Sequence, residues 1–282
     1  MMDTHCHIHF PAYDADRDEV IHRAQDQGVQ MITIGTKLSS SKAAVELADA
    51  HDDVWCTIGV HPSHVHKGTL HQDDDEGTEM HEEAFDVEAY RALASSSKKV
   101  IAIGEVGLDY HRLPDEGADA VISAQKRELR SALDLADELH LPIVLHVRDA
   151  HEDMAAILSE YVASDRLQRR GVVHCFTGTV DEAKAYHTLG FLTSFTGIVT
   201  FVDRKRSDTL TDLMKTAQAL PLEMMLVETD APYLAPQSHR GKRAEPWMVQ
   251  EVAQKIADLK GISIEEADRI TTANAKRLFE IA

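Results

Sequence analysis

The sequence predicts an α/β fold, a single-domain (β/α)8 barrel of the TIM type. The chain has 282 residues, and barrels of this kind typically contain about 250. Seven short apolar runs recur along the chain, separated by longer stretches with helical periodicity, and the opening segment provides an eighth. Eight strands that alternate with helices favour a closed barrel over a doubly wound sheet.

The eight predicted strands are short and almost continuously apolar. Runs of this kind are typical of strands that are buried on both faces, as in a parallel sheet. The predicted strands lie at residues 4–10, 31–34, 54–60, 100–106, 142–147, 172–176, 191–199 and 224–227. Polar residues at the ends of these runs should therefore lie at the carboxyl ends of the strands.

Helices are predicted between the strands. Apolar residues repeat at intervals of three and four along 129–139, which is typical of one face of an amphipathic helix. Serines from Ser39 onwards offer an N-cap for a helix that extends to residue 50. Pro246 suits the first turn of a helix that Gly261 can end. Ser263 begins a capping box for the last helix.

Composition narrows the class of protein. The hydrophobic fraction of 43% is enough for a sizeable core. The formal net charge of −19 argues against a protein that wraps nucleic acid along a basic face. Net charge affects solubility and steering more than fold, and a bound divalent metal reverses the sign of the charge locally. The acidity is therefore compatible with a metal site that binds one phosphate.

The cysteines and the N-terminus indicate the compartment. Cys6, Cys56 and Cys175 are widely spaced and form no CxxC motif, so a disulfide framework is not expected. The chain has no apolar run of about 18 residues and no signal-peptide pattern at its start. We therefore expect a cytoplasmic enzyme without a membrane segment.

One segment departs from the strand–helix alternation. Residues 66–88 are rich in Asp, Glu, His and Gly, which predicts an acidic surface insertion after the third strand. His66, His71 and His81 could bind a metal in principle. A solvated loop is the commoner structure for such a composition.

The strongest chemical signal is the sequence DTHCH at residues 3–7. Side chains two residues apart on a strand point the same way, so His5 and His7 should both face the barrel interior. Two such imidazoles form half of a metal site, and Asp3 could orient one of them. Two unrelated core histidines are the alternative, but burying them without partners is costly.

Four further strands end in a potential metal ligand. Barrel enzymes build their active sites at the carboxyl ends of their strands, and an otherwise apolar run that ends in a polar residue is informative there. With the first strand, five strands share this placement, which indicates one metal-binding site. The four ligands are Glu105, His146, His174 and Asp230.

Several segments together resemble the TatD deoxyribonucleases, a family of metal-dependent hydrolases related to the amidohydrolases. The similarity extends from residue 3 to about residue 279, and as an ordered set the segments are specific. They are DTHCH at 3–7, GEVGLDY at 104–110, LPIVLHVR at 141–148, HCFTG at 174–178, ETDAPYL at 228–234, RGKR at 240–243, and residues 272–279.

This resemblance implies a dinuclear metal site. His5, His7 and Asp230 would hold one divalent ion, Glu105 would bridge, and His146 with His174 would hold the second. Mixed imidazole and carboxylate ligands suit Zn²⁺ or Mn²⁺, and the family is also associated with Mg²⁺. The expected reaction is hydrolysis of DNA phosphodiester bonds, as a 3′–5′ exonuclease, by a water that two ions activate.

Asp230 is also the candidate general base, since it could take a proton from the attacking water. Glu105, the bridging carboxylate, is predicted to be catalytic together with Asp230. The alternative for Asp230 is that it is only a ligand and the metal alone acidifies the water. Glu228 is expected to contact one of the metal ligands and not to bind the metal itself. Cys6 and Cys175 should point away from the site, as small core residues.

Five residues are predicted to contact the substrate: His61, Arg148, Arg240, Lys242 and Arg243. Residues 59–64 are similar to the family's GxHPH segment, but Ser63 intervenes, so the match of its second histidine stays open. His61 could bind a phosphate or support the metal ligands. Arginine suits phosphate because its guanidinium forms two parallel hydrogen bonds. A solvated loop is the alternative for the cationic cluster at 240–243.

Two other functions are compatible with the same residues. One is an amidohydrolase or lactonase that acts on a small molecule, since an activated water attacks carbonyl carbon as well as phosphorus. The other is a non-catalytic barrel that serves as an interaction scaffold, which the complete ligand set disfavours. The sequence does not decide whether the substrate is DNA or RNA, or whether the enzyme is an exonuclease or an endonuclease. The oligomeric state also stays open, and a monomer is plausible.

Overall fold

The computed structural model describes residues 1–65, 82–111, 113–202 and 210–281. Its strands form one eight-stranded sheet in chain order, so the predicted alternation of strands and helices is confirmed. The strands are β1 Met2–Cys6, β2 Gln30–Ile34, β3 Val54–Ile58, β4 Val100–Asp109, β5 Ile143–Arg148, β6 Gly171–Val173, β7 Leu192–Phe195 and β8 Met225–Val227. The neighbours β3–β4, β4–β5, β5–β6 and β7–β8 pair in parallel.

Helices follow the strands along the chain. They are α1 Arg17–Asp26, α2 Leu38–Ala50, α3 Val87–Ser96, α4 Ala118–Leu139, α5 His151–Ala163, α6 Val180–Thr188, α7 Asp212–Ala219, α8 Val249–Lys260 and α9 Ile264–Phe279. The caps at Gly261 and Ser263 are confirmed. The predicted cap at Ser39 is wrong, since α2 already begins at Leu38. Pro246 starts a separate short 3-10 turn before α8.

The chain is organised as two compact units. The first comprises Met1–Ile8, Tyr13–Ile32 and His174–Ala282, and the second comprises His9–Ala12 and Thr33–Val173. In the first unit, β1, β7 and β8 are buried along their whole lengths. In the second unit, all ten residues of β4 are buried. Polar residues on these strands are therefore held inside each unit.

In the first unit, the end of β1 is bonded to the segment that follows β8. The backbone N–H of Asp230 donates to the His5 carbonyl at 2.8 Å, and that of His7 donates to the Ala231 carbonyl at 2.7 Å. Cys6 and Ala231 form a parallel bridge. The first strand thus neighbours the last, as a (β/α)8 barrel requires.

The predicted insertion at 66–88 is only partly described. Residues 66–81, with His66, His71 and His81, lie outside the described residues. At the other end, Glu82, Ala84, Asp86 and Glu88 are exposed. Phe85 is buried, stacks on Tyr90 with ring centroids 4.4 Å apart and donates its N–H to Glu128. That residues 66–88 form a surface insertion stays a prediction. Within the described ranges, no helix has the length and hydropathy needed to cross a membrane.

Candidate metal centre

The first cluster lies at the end of β1 in the first unit. The Nε2 atoms of His5 and His7 are 3.3 Å apart, and Oδ1 of Asp230 lies 3.6 Å from the first and 3.4 Å from the second. Both imidazoles are buried. Asp230 follows β8 with a φ of 62°, a left-handed conformation that aspartate tolerates better than most residues. The predicted pairing of these three side chains in space is therefore present.

These distances fit a divalent ion. Zinc binds imidazole nitrogen and carboxylate oxygen at about 2.0–2.2 Å, so two ligands in a tetrahedral site lie about 3.4 Å apart. The three separations within the cluster range from 3.3 to 3.6 Å. Such a donor set, two nitrogens and one oxygen around a common point, suits an ion with borderline ligand preference.

His174 belongs to the same cluster and is held by Glu228. Its ring stacks on His5 with centroids 3.7 Å apart, and His174, His5 and Asp230 offer ligand atoms within 4.8 Å of one another. Nδ1 of His174 lies 3.1 Å from Oε1 of Glu228, and the same oxygen accepts the Cys175 N–H at 2.6 Å. This contact fixes the orientation of the ring.

Glu228 is buried and remains ionised. Burial alone would raise its pKa, but His174, through its charge and its hydrogen bond, together with His5, holds the pKa of Glu228 below its ordinary value. Burial raises the pKa of Cys175 to about 12, so that its thiol stays protonated near neutrality. The interpretation of Cys175 as a small core residue, and not a nucleophile, is consistent with this.

Asp3 has a different role from the predicted one. Its carboxylate accepts hydrogen bonds from the backbone N–H of His5 at 3.3 Å, from the N–H of Thr229 at 2.9 Å and from the Thr229 hydroxyl at 2.6 Å. It therefore ties the end of β8 to β1 and does not orient an imidazole. Burial raises the pKa of Asp3 well above its ordinary value despite these bonds.

The second cluster lies just after β3 and within the carboxyl-terminal halves of β4 and β5, in the second unit. Nδ1 of His146 is 2.9 Å from Oε1 of Glu105, and Nε2 of His61 is 3.5 Å from the same oxygen. The ligand atoms of these three residues lie within 4.8 Å of one another. On the far side of His61, Nδ1 contacts the Ser63 hydroxyl at 2.6 Å and accepts its N–H at 3.2 Å. The intervening Ser63 thus directs His61 towards Glu105.

Asp109 completes the second cluster and was missed in the sequence. Its Oδ2 lies 3.1 Å from Nε2 of His146, so both ring nitrogens of that histidine face carboxylates. Burial would lower the pKa of His146, but the hydrogen bonds with Asp109 and Glu105 outweigh it and raise the pKa. Strand alternation could have identified Asp109, because Glu105 and Asp109 are an even number of residues apart on one strand and therefore share a face.

A glycine allows β4 and β5 to approach each other beside these residues. A Cβ atom at Gly107 would lie 1.9 Å from the carbonyl oxygen of His146. The register of the β4–β5 pair also shifts between Ile103 and Val106, and such irregularities re-aim side chains. Glu105 lies within this irregular stretch, next to the strand that carries His146.

The predicted substrate residues differ in their surroundings. Arg240 and Lys242 are exposed, and Arg148, the last residue of β5, is half-buried. Arg243 is engaged, since it donates to both carboxylate oxygens of Asp16 at 2.8 and 2.6 Å and stacks on Tyr13. The structure supports an anchoring role for Arg243, and its contact with substrate stays a prediction.

The ion pair between Arg23 and Glu245, a residue just after Arg243, gives a testable pH dependence. Arg23 donates to both oxygens of Glu245 at 2.9 Å, and the Trp247 indole donates to Oε2. Burial would raise the pKa of Glu245, but these hydrogen bonds lower it. A lowered folded-state pKa stabilises the protein above the unfolded value of about 4.3, and this stabilisation is lost as the pH falls through the folded value.

Replacing Glu245 with glutamine should therefore lower the Tm at pH 7 but not at acid pH. We expect a decrease of about 2–4 °C at pH 7, which corresponds to about 1 kcal/mol for a partly screened pair. The difference should shrink towards zero below pH 4. Glu19→Gln is the control, because that exposed carboxylate lies 3.8 Å from the same arginine. A constant difference across the pH range would contradict the ionic origin.

Comparison with known proteins identifies the family of the chain. Residues 2–280 match the model of the TatD related DNase family. The chain is 38% identical to the uncharacterized metal-dependent hydrolase YabD of Bacillus subtilis, over 100% of this chain and 99% of that protein. It is 34% identical to the 3′-5′ ssDNA/RNA exonuclease TatD of Pantoea ananatis, over 99% of each.

The fold agrees as well. The crystal structure of the TatD homolog YJJV from Escherichia coli K12 has a TM-score of 0.83 and 27% identity, and the alignment covers 100% of this chain and 98% of that one. The family model matches nearly the whole chain, and relatives are more than 30% identical over nearly their full lengths, so the family of this chain is established. The chain belongs to the TatD related DNase family and is a hydrolase of that family.

Proposed function

We propose that this protein is a metal-dependent deoxyribonuclease that removes nucleotides from the 3′ end of DNA. The observation that carries the proposal is the cluster of His5, His7 and Asp230, whose donor atoms have the spacing of ligands around one divalent ion. Relatives named as 3′-5′ ssDNA/RNA exonucleases support the choice of substrate and polarity.

The proposed ligands are those predicted from the sequence. His5, His7 and Asp230 would hold one ion, and Zn²⁺, Mn²⁺ and Mg²⁺ are the candidates. A second ion would use Glu105 and His146. The assignment of Glu105 as a bridge and of His174 to the second ion rests on the family resemblance. Divalent ions bound by these residues would supply electrophilic activation of the phosphodiester and of the attacking water.

The chain's own residues would handle the proton and the substrate. Asp230 is 15% exposed at its side chain, so its carboxylate can meet water and accept a proton from it. His61, held by Ser63, would donate a hydrogen bond to a phosphate oxygen. Arg148, Arg240 and Lys242 would bind phosphates of the strand that are not cleaved, because such cations locally offset the net negative charge of the protein.

The remaining proposals concern the protein as a whole. We infer that the entire chain acts as a single hydrolase domain on nucleic acid. A cytoplasmic location is supported by the three cysteines, none of which forms a disulfide. DNA is the proposed substrate, and RNA is a second nucleic acid to be tested, since related exonucleases carry both in their names.

An assay on end-labelled strands tests the proposal. Single-stranded DNA, double-stranded DNA and RNA would be labelled at either end and incubated with Zn²⁺, Mn²⁺ or Mg²⁺, or with a chelator. A 3′ label should be released at once as a mononucleotide, and a 5′ label should give a descending ladder, only when a metal is present. Internal fragments would instead indicate an endonuclease.

The same preparation separates the alternatives. Turnover of a panel of lactones and cyclic amides, without cleavage of any nucleic acid, would indicate an amidohydrolase or lactonase. Absence of any divalent ion that binds, measured by metal analysis and calorimetry, would indicate a non-catalytic scaffold. Either result would refute the proposed nuclease.

A further inference from the structure

The guanidinium of Arg240 lies on the ring of Phe201. The Cζ atom is 4.5 Å from the ring centroid, a distance typical of a cation–π contact. Arg240 is exposed and Phe201 is partly exposed. Among the residues that the structure describes, no carboxylate pairs with Arg240. The edge of this guanidinium, with its N–H donors, is therefore open to a ligand as far as the described residues extend.

Arg240 lies on the loop that follows Asp230. The N–H of Tyr233 donates to the Asp230 carbonyl at 2.9 Å, and at the returning end the N–H of Ala244 donates to the Pro232 carbonyl at 2.9 Å. Both ends of the loop are thus fixed within two or three residues of Asp230. The loop that carries Arg240 is therefore anchored next to Asp230, one of the three side chains of the first cluster.

The segment that carries Phe201 is fastened to the same loop. The N–H of Gln237 donates to the Thr200 hydroxyl at 2.8 Å, and the N–H of Val202 donates to Oε1 of Gln237 at 3.5 Å. A Cβ atom at Gly197 would lie 2.1 Å from the Leu234 carbonyl oxygen, so the two backbones are in close contact. These contacts on both sides of Phe201 hold its ring in place beside the loop.

Phe201 and Asp16 hold their arginines in different ways. The carboxylate of Asp16 occupies the N–H edge of Arg243 and neutralises its charge. The Phe201 ring supports the face of Arg240 and leaves both charge and edge intact. Phosphate binds arginine through that edge, by parallel N–H···O bonds. An aromatic support is therefore suited to an arginine that must bind an anion from outside.

We propose that Phe201 is a positioning residue that holds Arg240 to bind a phosphate of the strand other than the one that is cleaved. This inference rests on the proposed nuclease function and adds a determinant of substrate length to it. A dinucleoside monophosphate contains only the phosphodiester that is cleaved, so it has no further phosphate that Arg240 could bind. A tetranucleotide contains further phosphates and should gain affinity from the contact.

Kinetics of Phe201→Leu on these two substrates test the inference. The KM for a single-stranded tetranucleotide should rise about two- to fivefold, the range expected from an exposed cation–π contact, with kcat unchanged. The KM for the dinucleoside monophosphate should not change. Phe201→Tyr should behave as the wild type, since it keeps the ring. In an Arg240→Ala background, Phe201→Leu should have no further effect.

Tyr161→Leu is the matched control. Its ring also lies under an arginine, with Cζ of Arg166 at 4.6 Å, but Asp134 and Asp137 already bind that guanidinium. We expect a lower Tm for this variant and an unchanged KM for the tetranucleotide. The same proportional change in KM for both substrates of Phe201→Leu, or a fall in kcat alone, would overturn the inference.

A binding measurement separates this inference from the proposed function. Fluorescence anisotropy of a labelled tetranucleotide in chelator reports affinity without turnover. Its Kd should rise about two- to fivefold in Phe201→Leu and stay at the wild-type value in Phe201→Tyr. Failure of the wild type to cleave DNA would refute the nuclease. An unchanged Kd in Phe201→Leu would refute the role of Phe201, whether or not the wild type cleaves.

Discussion

Replacing Asp230 with asparagine should lower kcat for DNA hydrolysis by about 10²–10⁴, the usual contribution of a general base. Asparagine keeps an oxygen near the Nε2 atoms of His5 and His7, from which Oδ1 of Asp230 lies 3.6 and 3.4 Å away. It cannot accept a proton from the attacking water. We therefore expect loss of turnover with little loss of fold, measured by single-turnover kinetics and by circular dichroism.

The metal content of Asp230→Asn separates its two possible roles. Retained metal with lost turnover would identify Asp230 as the base. Lost metal, with turnover restored by excess ion, would indicate that Asp230 acts only as a ligand. Asp149→Asn is the matched control, because Asp149 also follows a strand with a left-handed φ, of 54°, but is exposed and contacts His111. Wild-type turnover in Asp230→Asn at normal metal content would contradict the role of Asp230 as the general base.

The position of the candidate ligands could be predicted from local sequence rules. Alternation along a strand places His5 and His7 on one face. The carboxyl-end rule for barrels then selects Glu105, His146 and Asp230 from polar residues that follow apolar runs. These rules need only the strand period and the strand ends. Strands β2, β5 and β8 end within one residue of the prediction, whereas β4 continues four residues past Glu105, to Asp109. The fold class followed from the same periodicity.

Contacts between distant segments could not be predicted in this way. Arg243 is paired with Asp16, which is 227 residues away, and no local pattern relates the two. Asp3 shares a strand face with the ligands, yet its short side chain reaches the Thr229 backbone and hydroxyl. Strand alternation gives the face of a residue but not its partner, which depends on rotamer and register.

The hydrogen bond between His174 and Glu228 also joins residues that are distant in sequence. Its removal is the second change for which we expect a large effect. The two residues are 54 positions apart, and the sequence indicated only that Glu228 supports some ligand. Replacing Glu228 with alanine would remove the acceptor of both His174 Nδ1 and the Cys175 N–H. Loss of a carboxylate that orients a ligand imidazole typically costs about 10- to 100-fold in metal affinity or activity.

Glu228→Ala should also destabilise the fold, because it leaves one buried and one partly buried donor without their acceptor. Each such loss costs about 1–3 kcal/mol, which should lower the Tm by several degrees. Glu228→Gln keeps an acceptor oxygen but no charge, so we expect it to recover most of the stability and less of the metal affinity, as measured by calorimetry. The control is Glu182→Ala, which removes the acceptor of the Thr179 N–H at the start of α6.

The comparison between these variants identifies which property of Glu228 matters. Oε1 of Glu228 faces His174 and Cys175 together, and the pKa of this carboxyl is lowered in spite of burial. A purely structural role predicts that stability and metal affinity recover in parallel in the glutamine variant. A carboxylate that raises the basicity of His174 predicts recovery of stability alone. Wild-type metal affinity in Glu228→Ala would show that the orientation of His174 does not depend on this contact.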